Sequence, residues 1–280
     1  MSRHSKACVI GWPIAHSRSP LIHRYWLDRY GIEGDYTKEA VKPEELEAFL
    51  GTMARRGLAG CNVTVPHKEA AYRAAVRRDA AADAVAAANT LWLERDVLCA
   101  SNTDTAGFME HLRSSSPDWD KRRRPATVLG AGGAARAIVF GLMEAGAVEI
   151  RVCNRTRKRT DELVRHFGGQ VMPIEWNERE RALQGCGLLV NATSLGMSGG
   201  EPLEIDLTAL TEGATVADIV YAPLETELLR RARRRGLLVV DGLGMLLHQA
   251  VPGFEKWFGQ RPEVTAELRA LVAADIEGQL

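Results

Sequence analysis

The chain of 280 residues has no excess of charge of either sign: Lys plus Arg and Asp plus Glu both number 36, so its formal net charge is zero. That excludes a generalised binder of nucleic acid or of anionic membranes and leaves room only for a local basic cluster that holds a small anion. No apolar run reaches about 18 residues, so no transmembrane helix and no membrane partner are expected. The opening stretch, MSRHSKACVIGW, lacks the long apolar segment of a signal peptide. Internal repeats are absent. Cysteine is sparse and scattered. Cys8, Cys61, Cys99, Cys153 and Cys186 form no CxxC or similar pair. This pattern reads as reduced thiols of a cytoplasmic protein, several inside apolar strands, and no metal site is expected. What is present is an ordinary globular composition, 46% hydrophobic and 26% charged, in a chain long enough for about two domains.

Strand and helix signals alternate along the first half. KACVIG (6–11) reads as a strand. SPLIHRYWLDRYG (19–31) reads as a helix with Ser19 as N-cap, Pro20 in the first turn and Gly31 as the stop. DYTKEAV (35–41) and GCNVTVP (60–66) read as strands, with a helix over 42–57 between them. The alanine-rich stretch 70–90 reads as plain helix, and 89–104 as a strand pair turning at Arg95-Asp96. Residues 114–125 carry Pro at both ends and no apolar period, so they read as a loop near a domain boundary. Its basic run Lys121–Arg124 reads as a solvated face. A second α/β pattern follows: strands at 126–130, 149–154, 187–193, 214–221 and 236–242, with a helix over 133–146. At the end, 263–276 reads as an amphipathic helix whose face of Val264, Leu268, Leu271, Val272 and Ile276 must pack on something, the first domain being a candidate. The alternation predicts an α/β fold with largely parallel sheets and helices on their faces.

Gly130-Ala131-Gly132-Gly133-Ala134-Ala135 fits G-x-G-x-x-A in the context that gives the motif meaning: an apolar strand before it, a helix after it, and a second strand about twenty residues on. Gly130 permits the tight turn, Gly132 lets backbone approach a pyrophosphate, and Ala135 lets the helix pack closely. The helix start adds free N–H groups and a positive dipole end. An NAD site usually places an acid at the end of the second strand. Here the segment is Asn154-Arg155-Thr156-Arg157-Lys158-Arg159, without one. A 2′-phosphate would attract these guanidinium groups and repel a carboxylate, so NADP is the expected cofactor. Cations at a helix start are otherwise disfavoured unless an anion meets them.

Polar segments in the first half follow strands or precede helices, and so can meet at one sheet edge. They offer Ser17 and Ser19, Thr64 and Lys68, Asn89, and Asn102 with Asp104. Together with the glycine turn they run through nine ordered motifs: GxPIxHSxSPxIH at 11–23, NVTVPHKE at 62–69, NT at 89–90, NTD at 102–104, GAGGAARA at 130–137, NRT at 154–156, NATSLGM at 191–197, DIVYxPxxT at 218–226 and GxxMLLHQA at 242–250. With these the chain closely resembles the shikimate dehydrogenase family over nearly its whole length.

The resemblance implies two α/β domains with a cleft between them. One is a substrate-binding sandwich of residues 1–104 plus 245–280, which receives the C-terminal helix. The other is a Rossmann NADP domain of residues 105–244. It implies the interconversion of shikimate and 3-dehydroshikimate with NADP(H), in the shikimate pathway of chorismate and aromatic amino acid biosynthesis, by a monomer or homodimer. Ser17 and Ser19 would then bind the substrate carboxylate, and Thr64, Asn89, Asp104, Tyr221 and Gln249 would contact the ring hydroxyls, which are costly to leave unpaired. Lys68 would pair with Asp104 and take the hydroxyl proton as hydride leaves the carbon, or return it in the reverse direction; Asp104 would otherwise orient Lys68 and the hydroxyl. His67 reads as a structural neighbour. On the cofactor side the resemblance adds Thr193, Ser194, Met197, Ile219 and Gly242.

The chain departs from the family where glycine is common, with Ala100 and Thr105 flanking the NTD motif. It also has Ala86-Ala87-Ala88 where Gly-Ala-Val is common. These changes could shift Asp104 or alter the relative use of shikimate and quinate. Two other readings stand beside the main one. One is a quinate/shikimate enzyme with relaxed cofactor use. The other is a non-catalytic NADP-binding sensor, which would not need the Lys68–Asp104 pair.

Overall fold

The computed structural model describes residues 4–121 and 123–278. They form two compact units, Met1–Asp104 with Gln249–Val272 and Thr105–His248 with Ala273–Leu280. The units divide after Asp104, before Gln249 and after Val272.

In the first unit the elements run β1 (Ser5–Gly11), α1 (Ser19–Tyr30), β2 (Gly34–Ala40), α2 (Leu46–Thr52), β3 (Leu58–Val63), α3 (Lys68–Ala74), β4 (Arg77–Arg78), α4 (Ala80–Val85), β5 (Thr90–Glu94) and β6 (Val97–Ser101). The sheet order is β2-β1-β3-β5-β6-β4. β1 pairs parallel with β2 and β3, while the β5–β6 hairpin enters antiparallel through β3. The central strand β1 is buried on both faces. Cys8 and Ile10 join a core with Phe49, Met53 and Leu91, while Ala7 and Val9 pack with Tyr36 and Trp257. Such double burial is why KACVIG reads as a continuous apolar run rather than an alternating one. Gly60 is required by this packing, because a Cβ there would stand 2.1 Å from both the Leu91 carbonyl and the Trp257 indole nitrogen.

Several expectations are corrected here. The alanine-rich stretch is two short helices, broken by residues 75–79. Its backbone is captured by the sheet: Val76 N–H donates to Leu98 O, Asp79 N–H donates to Ala100 O, and β4 pairs with β6. Edge pairing outweighs the helix propensity of alanine, which is a weak prior against tertiary contacts. Asp79 then caps α4 by accepting from Ala82 N–H at 2.9 Å. That helix ends on Ala86 at φ 53°, where the family commonly has glycine and where a Cβ is disfavoured. The 42–57 segment is a 3₁₀ turn followed by a short α2. Arg95 and Asp96 both take positive φ, as a two-residue hairpin turn demands.

The second unit contains α5 (Asp104–Ser115), β7 (Ala126–Leu129), α6 (Gly133–Glu144), β8 (Ile150–Asn154), α7 (Arg157–Phe167), β9 (Val171–Glu175), β10 (Leu188–Asn191), β11 (Thr215–Asp218), α8 (Glu227–Arg234) and β12 (Leu238–Val240). α9 (Gly242–Phe258) and α10 (Ala266–Ile276) complete the chain. The order β9-β8-β7-β10-β11-β12 is fully parallel and doubly wound, with its topological switch between β7 and β10. One face packs Val128, Val152 and Val190 against Ile138 and Leu142 of α6; the other carries Leu129, Leu189 and Val216. β9 carries no strong strand pattern and was not expected.

Of the basic run Lys121–Arg124, Arg122 lies outside the described residues. Arg124 is not simply solvated, since it donates to the Thr211 hydroxyl and the Glu212 carbonyl. α10 and its lead-in dock on α1 through Trp26 Nε1 to Glu263 O at 3.0 Å and Tyr25 Oη with Thr265 Oγ1 at 3.1 Å. Of its expected apolar face, Leu268 and Val272 are fully buried.

The ring of His23 on α1 is fully buried, stacked 3.9 Å from Tyr36 and flanked by Trp26, Phe254 and Trp257. Neither ring nitrogen has a hydrogen bond of good geometry among the described residues, and Asn62 offsets only part of the effect of burial, which holds the imidazole at about 3. The folded state therefore keeps His23 neutral while the unfolded chain accepts its proton near pH 6.5, so stability is present above that pH and is lost as pH falls below it. Between about pH 7.5 and about pH 5 the loss is about 2 kcal/mol. Asp218 of the second unit works the other way over part of this window, because burial pushes its carboxyl up to about 6 against three hydrogen bonds. The difference between wild type and His23→Phe isolates the histidine. Denaturant unfolding at the two pH values should show the variant losing about 2 kcal/mol less on acidification than the wild type; equal losses would show that His23 does not set the acid limit.

Candidate active site

NVTVPHKEA runs off the end of β3 into α3. Thr64 N–H donates to Ile10 O, and the turn closes with His67 N–H to Thr64 O at 2.9 Å. His67 is buried at the N-cap position of α3, and its Nε2 donates to the Val41 carbonyl at 2.7 Å, which anchors the turn. Lys68, the next residue, starts the helix, and its side chain is 16% exposed. Its Nζ donates to Asp104 Oδ2, and that carboxylate is 5% exposed.

Asp104 is held from several directions. Its own N–H donates to Asn102 Oδ1, and its Oδ1 accepts from Asn89 Nδ2 at 2.8 Å. The Asn89 amide is oriented without ambiguity: Thr103 N–H, which can only donate, meets Asn89 Oδ1 at 2.8 Å, so the NH₂ faces the carboxylate. Gln249 on α9 joins the same set, its Oε1 lying 3.3 Å from Asn89 Nδ2 and its carbonyl accepting from Thr103 Oγ1 at 2.7 Å. The first unit thus gathers Lys68, Asn89, Asp104 and Gln249 into one polar cluster, with Asn89 and Asp104 buried and Lys68 and Gln249 partly exposed.

Ser17 and Ser19 lie at the start of α1. Ser19 is the first residue of the helix rather than its N-cap; Arg18 takes that position and makes no side-chain capping bond, while Ser17 Oγ accepts from Ser19 N–H at 3.3 Å. The first turn holds no acid, so its N–H groups suit a carboxylate. Thr64 packs on Gly11, where a Cβ would stand 2.5 Å from its methyl group. Tyr221 belongs to the second unit, where it follows β11.

There the glycine turn follows β7. Gly130 has φ 112°, and a Cβ would stand 2.8 Å from Ala192 O, which draws the β7 and β10 loops together. A Cβ on Gly132 would meet nothing within 4 Å, so this face is open for a pyrophosphate. Gly133 and Ala134 open α6, Gly132 caps it without a side chain, no acid stands in its first turn, and Ala135 is fully buried against the sheet. Thr193 is pinned by Asn191 at 2.7 Å, and Ser194 beside it is exposed. Ile219 and Gly242 touch, since a Cβ on Gly242 would stand 2.4 Å from Ile219 O.

At the end of β8 the Asn154 side chain donates to Thr156 O. Arg155 is 62% exposed and pairs with Glu201 at 3.0 Å. Arg157 is tied to Asp161 and Glu175, which raise its pKa. Arg159 is exposed. A separate cavity of about 650 Å³ is lined by Ser198, Glu204, Thr226 and Arg230 among others. Of the cofactor residues named from the sequence only Met197 reaches it. All five cysteines are buried and unpaired, with Cys153 pushed up to about 12 by burial.

Not anticipated were Asn62, Thr90 and Thr103, which hold the cluster. Their signal lay in the sequence: an asparagine inside an apolar strand, and a threonine after each paired asparagine.

One unit holds a doubly wound parallel sheet with a glycine turn at its switch point, the architecture of a dinucleotide-binding domain, and the other holds the Lys68–Asp104 pair. Comparison with known proteins agrees. Residues 9–91 match the shikimate dehydrogenase substrate binding domain, residues 113–197 the shikimate/quinate 5-dehydrogenase family, and residues 242–271 the shikimate 5′-dehydrogenase C-terminal domain. The shikimate dehydrogenase (NADP(+)) of Rhodopseudomonas palustris strain HaA2 is 56% identical over 273 residues, 98% of this chain and 97% of that one. Among solved structures, the shikimate 5-dehydrogenase of Thermus thermophilus, in complex with NADP(H) and shikimate, superposes with a TM-score of 0.85 at 34% identity, covering 99% of this chain and 100% of that one. The quinate dehydrogenase of Corynebacterium glutamicum in complex with NAD gives 0.88 at 26% identity, covering 97% and 99%. The chain belongs to the shikimate dehydrogenase family.

Proposed function

We propose that this protein catalyses the reversible, NADP-dependent oxidation of shikimate to 3-dehydroshikimate. The observation that carries the reading is the Lys68–Asp104 pair, buried together and braced by Asn89. NADP supplies the hydride acceptor. The residues present fit it: the open face at Gly132 and the uncapped start of α6 suit its pyrophosphate, and Arg155, with Arg159 and the Asn154–Thr156 turn, suits a 2′-phosphate. Thr193, Ser194, Ile219 and Gly242 line the strand ends beyond.

In the first unit, Ser17, Ser19 and the start of α1 hold the substrate carboxylate, while Thr64, Asn89 and Gln249 take the ring hydroxyls. Lys68, as the neutral amine, stands at the reacting hydroxyl and accepts its proton as the carbon is oxidised, and the ammonium so formed returns it on reduction. Asp104 holds the lysine nitrogen in place in both forms. Met1–Asp104 with Gln249–Val272 make the substrate domain and the doubly wound sheet the NADP domain. Five buried thiols suit a reducing cytoplasm. Relaxed use of quinate or NAD is the second reading, favoured by the likeness to the quinate dehydrogenase.

The test is incubation with shikimate and NADP⁺. A product lighter by two hydrogens, formed in step with NADPH, is expected; binding of NADP⁺ with no product would favour the sensor reading.

A further inference from the structure

Asp104 sits at the end of a chain of hydrogen bonds that all point the same way. Tyr36 Oη donates to Asn62 Oδ1 at 2.6 Å. Asn62 Nδ2 faces the Asn89 carbonyl at 3.2 Å, which can only accept, so the amide orientation is fixed; the same NH₂ lies 3.4 Å from Thr90 Oγ1, the longest link. Thr90 Oγ1 donates to Asn89 Oδ1 at 3.0 Å, and Asn89 Nδ2 donates to Asp104 Oδ1 at 2.8 Å. Every member is nearly fully buried. Bonds aligned in this way polarise one another, and in a medium of low dielectric their donors converge on the terminal anion. The chain begins where Ser19 also interacts with the Tyr36 hydroxyl, and burial keeps that hydroxyl protonated and able to donate.

We infer that Tyr36, Asn62 and Thr90 are positioning residues for the reaction, a relay that holds the Asp104 carboxylate oriented toward Lys68 from the far side of the first sheet. The inference rests on the proposed role of the Lys68–Asp104 pair. None of the three residues reaches Lys68 itself. They act through the Asn89 amide, which without Thr90 Oγ1 loses one of the donors that fix its orientation. It keeps the Thr103 N–H, so the relay is weakened rather than abolished.

A double-mutant cycle tests this. Thr90→Val keeps the shape and removes the hydroxyl; Tyr36→Phe keeps the ring and its stacking on His23. Thr90→Val should lower kcat about tenfold and leave the KM for NADP⁺ unchanged, Thr90→Ser should recover most of the loss, and Tyr36→Phe should lower kcat about threefold. Adding Tyr36→Phe to Thr90→Val should cost nothing further, because the relay is already cut. Independent effects that multiply, a serine variant as slow as the valine variant, or turnover within about twofold of wild type in Thr90→Val would overturn the inference. Thermal melts accompany each variant; if Thr90→Val melts below the assay temperature, Tyr36→Phe alone decides, and unchanged turnover then overturns the relay. A Lys68→Ala variant run alongside separates the layers: if it stays active, the pair itself was misassigned; if it is inactive while the cycle is additive, only the relay fails.

Discussion

Replacing Lys68 with alanine should lower kcat by about 10²–10⁴-fold while leaving NADP⁺ affinity intact. Loss of a general base at the reacting hydroxyl removes the acceptor for a proton that must leave as the carbonyl forms. The rest of the polar cluster in the first unit replaces it poorly: Asn89 and Gln249 are neutral amides, and Asp104, released from the lysine, is a carboxylate and so an intrinsically much weaker base than an amine. The variant should also lose stability, since breaking a buried pair leaves Asp104 charged and uncompensated, a cost of about 3–5 kcal/mol. Equilibrium binding of NADP⁺, which we assign to the second unit, shows whether that unit is folded. Small primary amines added to the assay should restore part of the turnover. Nearly unchanged kcat would remove Lys68 from the chemistry.

The second large effect concerns the cofactor. Arg155→Ala should weaken NADP⁺ binding about 10–100-fold and NAD⁺ binding little, because charge-assisted hydrogen bonds of about 1.5–3 kcal/mol are made only to the 2′-phosphate. The tie between Arg155 and Glu201 does not oppose this. Both side chains are largely exposed, and exposed pairs contribute about 0–1 kcal/mol, so a phosphate dianion displaces the carboxylate. Arg157 provides the control: held by Asp161 and Glu175, it is less free to turn to a ligand, and Arg157→Ala should do less. Titration of each variant with both nucleotides checks the result. Equal weakening for NADP⁺ and NAD⁺ would refute the phosphate assignment.

The parts of the fold set by local chemistry are legible in the sequence. Gly31 stops α1 in the left-handed conformation, Arg95-Asp96 makes the hairpin turn, and the glycine turn after β7 carries its meaning in its spacing. What escaped was decided at a distance. Alanines 70–88 look helical alone, but β6 offers an edge that draws residues 76–79 into the sheet. Ser19 looks like a cap, yet Ser17 supplies the oxygen that its N–H meets. In the candidate site, Lys68 and Asp104 could be singled out because charged groups are unusual in such surroundings. Asn62, Thr90 and Thr103 carry a fainter signal in the sequence, because they acquire their role only when β3, β5 and the start of α5 come together. Thr105, a departure from the family's glycine, is accommodated locally: its hydroxyl donates to Ala137 O at 3.0 Å on α6.

The most direct measurement is a grid of four steady-state assays, shikimate or quinate against NADP⁺ or NAD⁺, each read as kcat/KM from reduced cofactor. We expect shikimate with NADP⁺ to exceed the other three pairs by at least about tenfold. A chain that used quinate or NAD⁺ equally well would contradict the assigned specificity and direct attention to Thr105 and the Asn154–Arg159 turn. No reduction with any pair would contradict the assigned reaction itself.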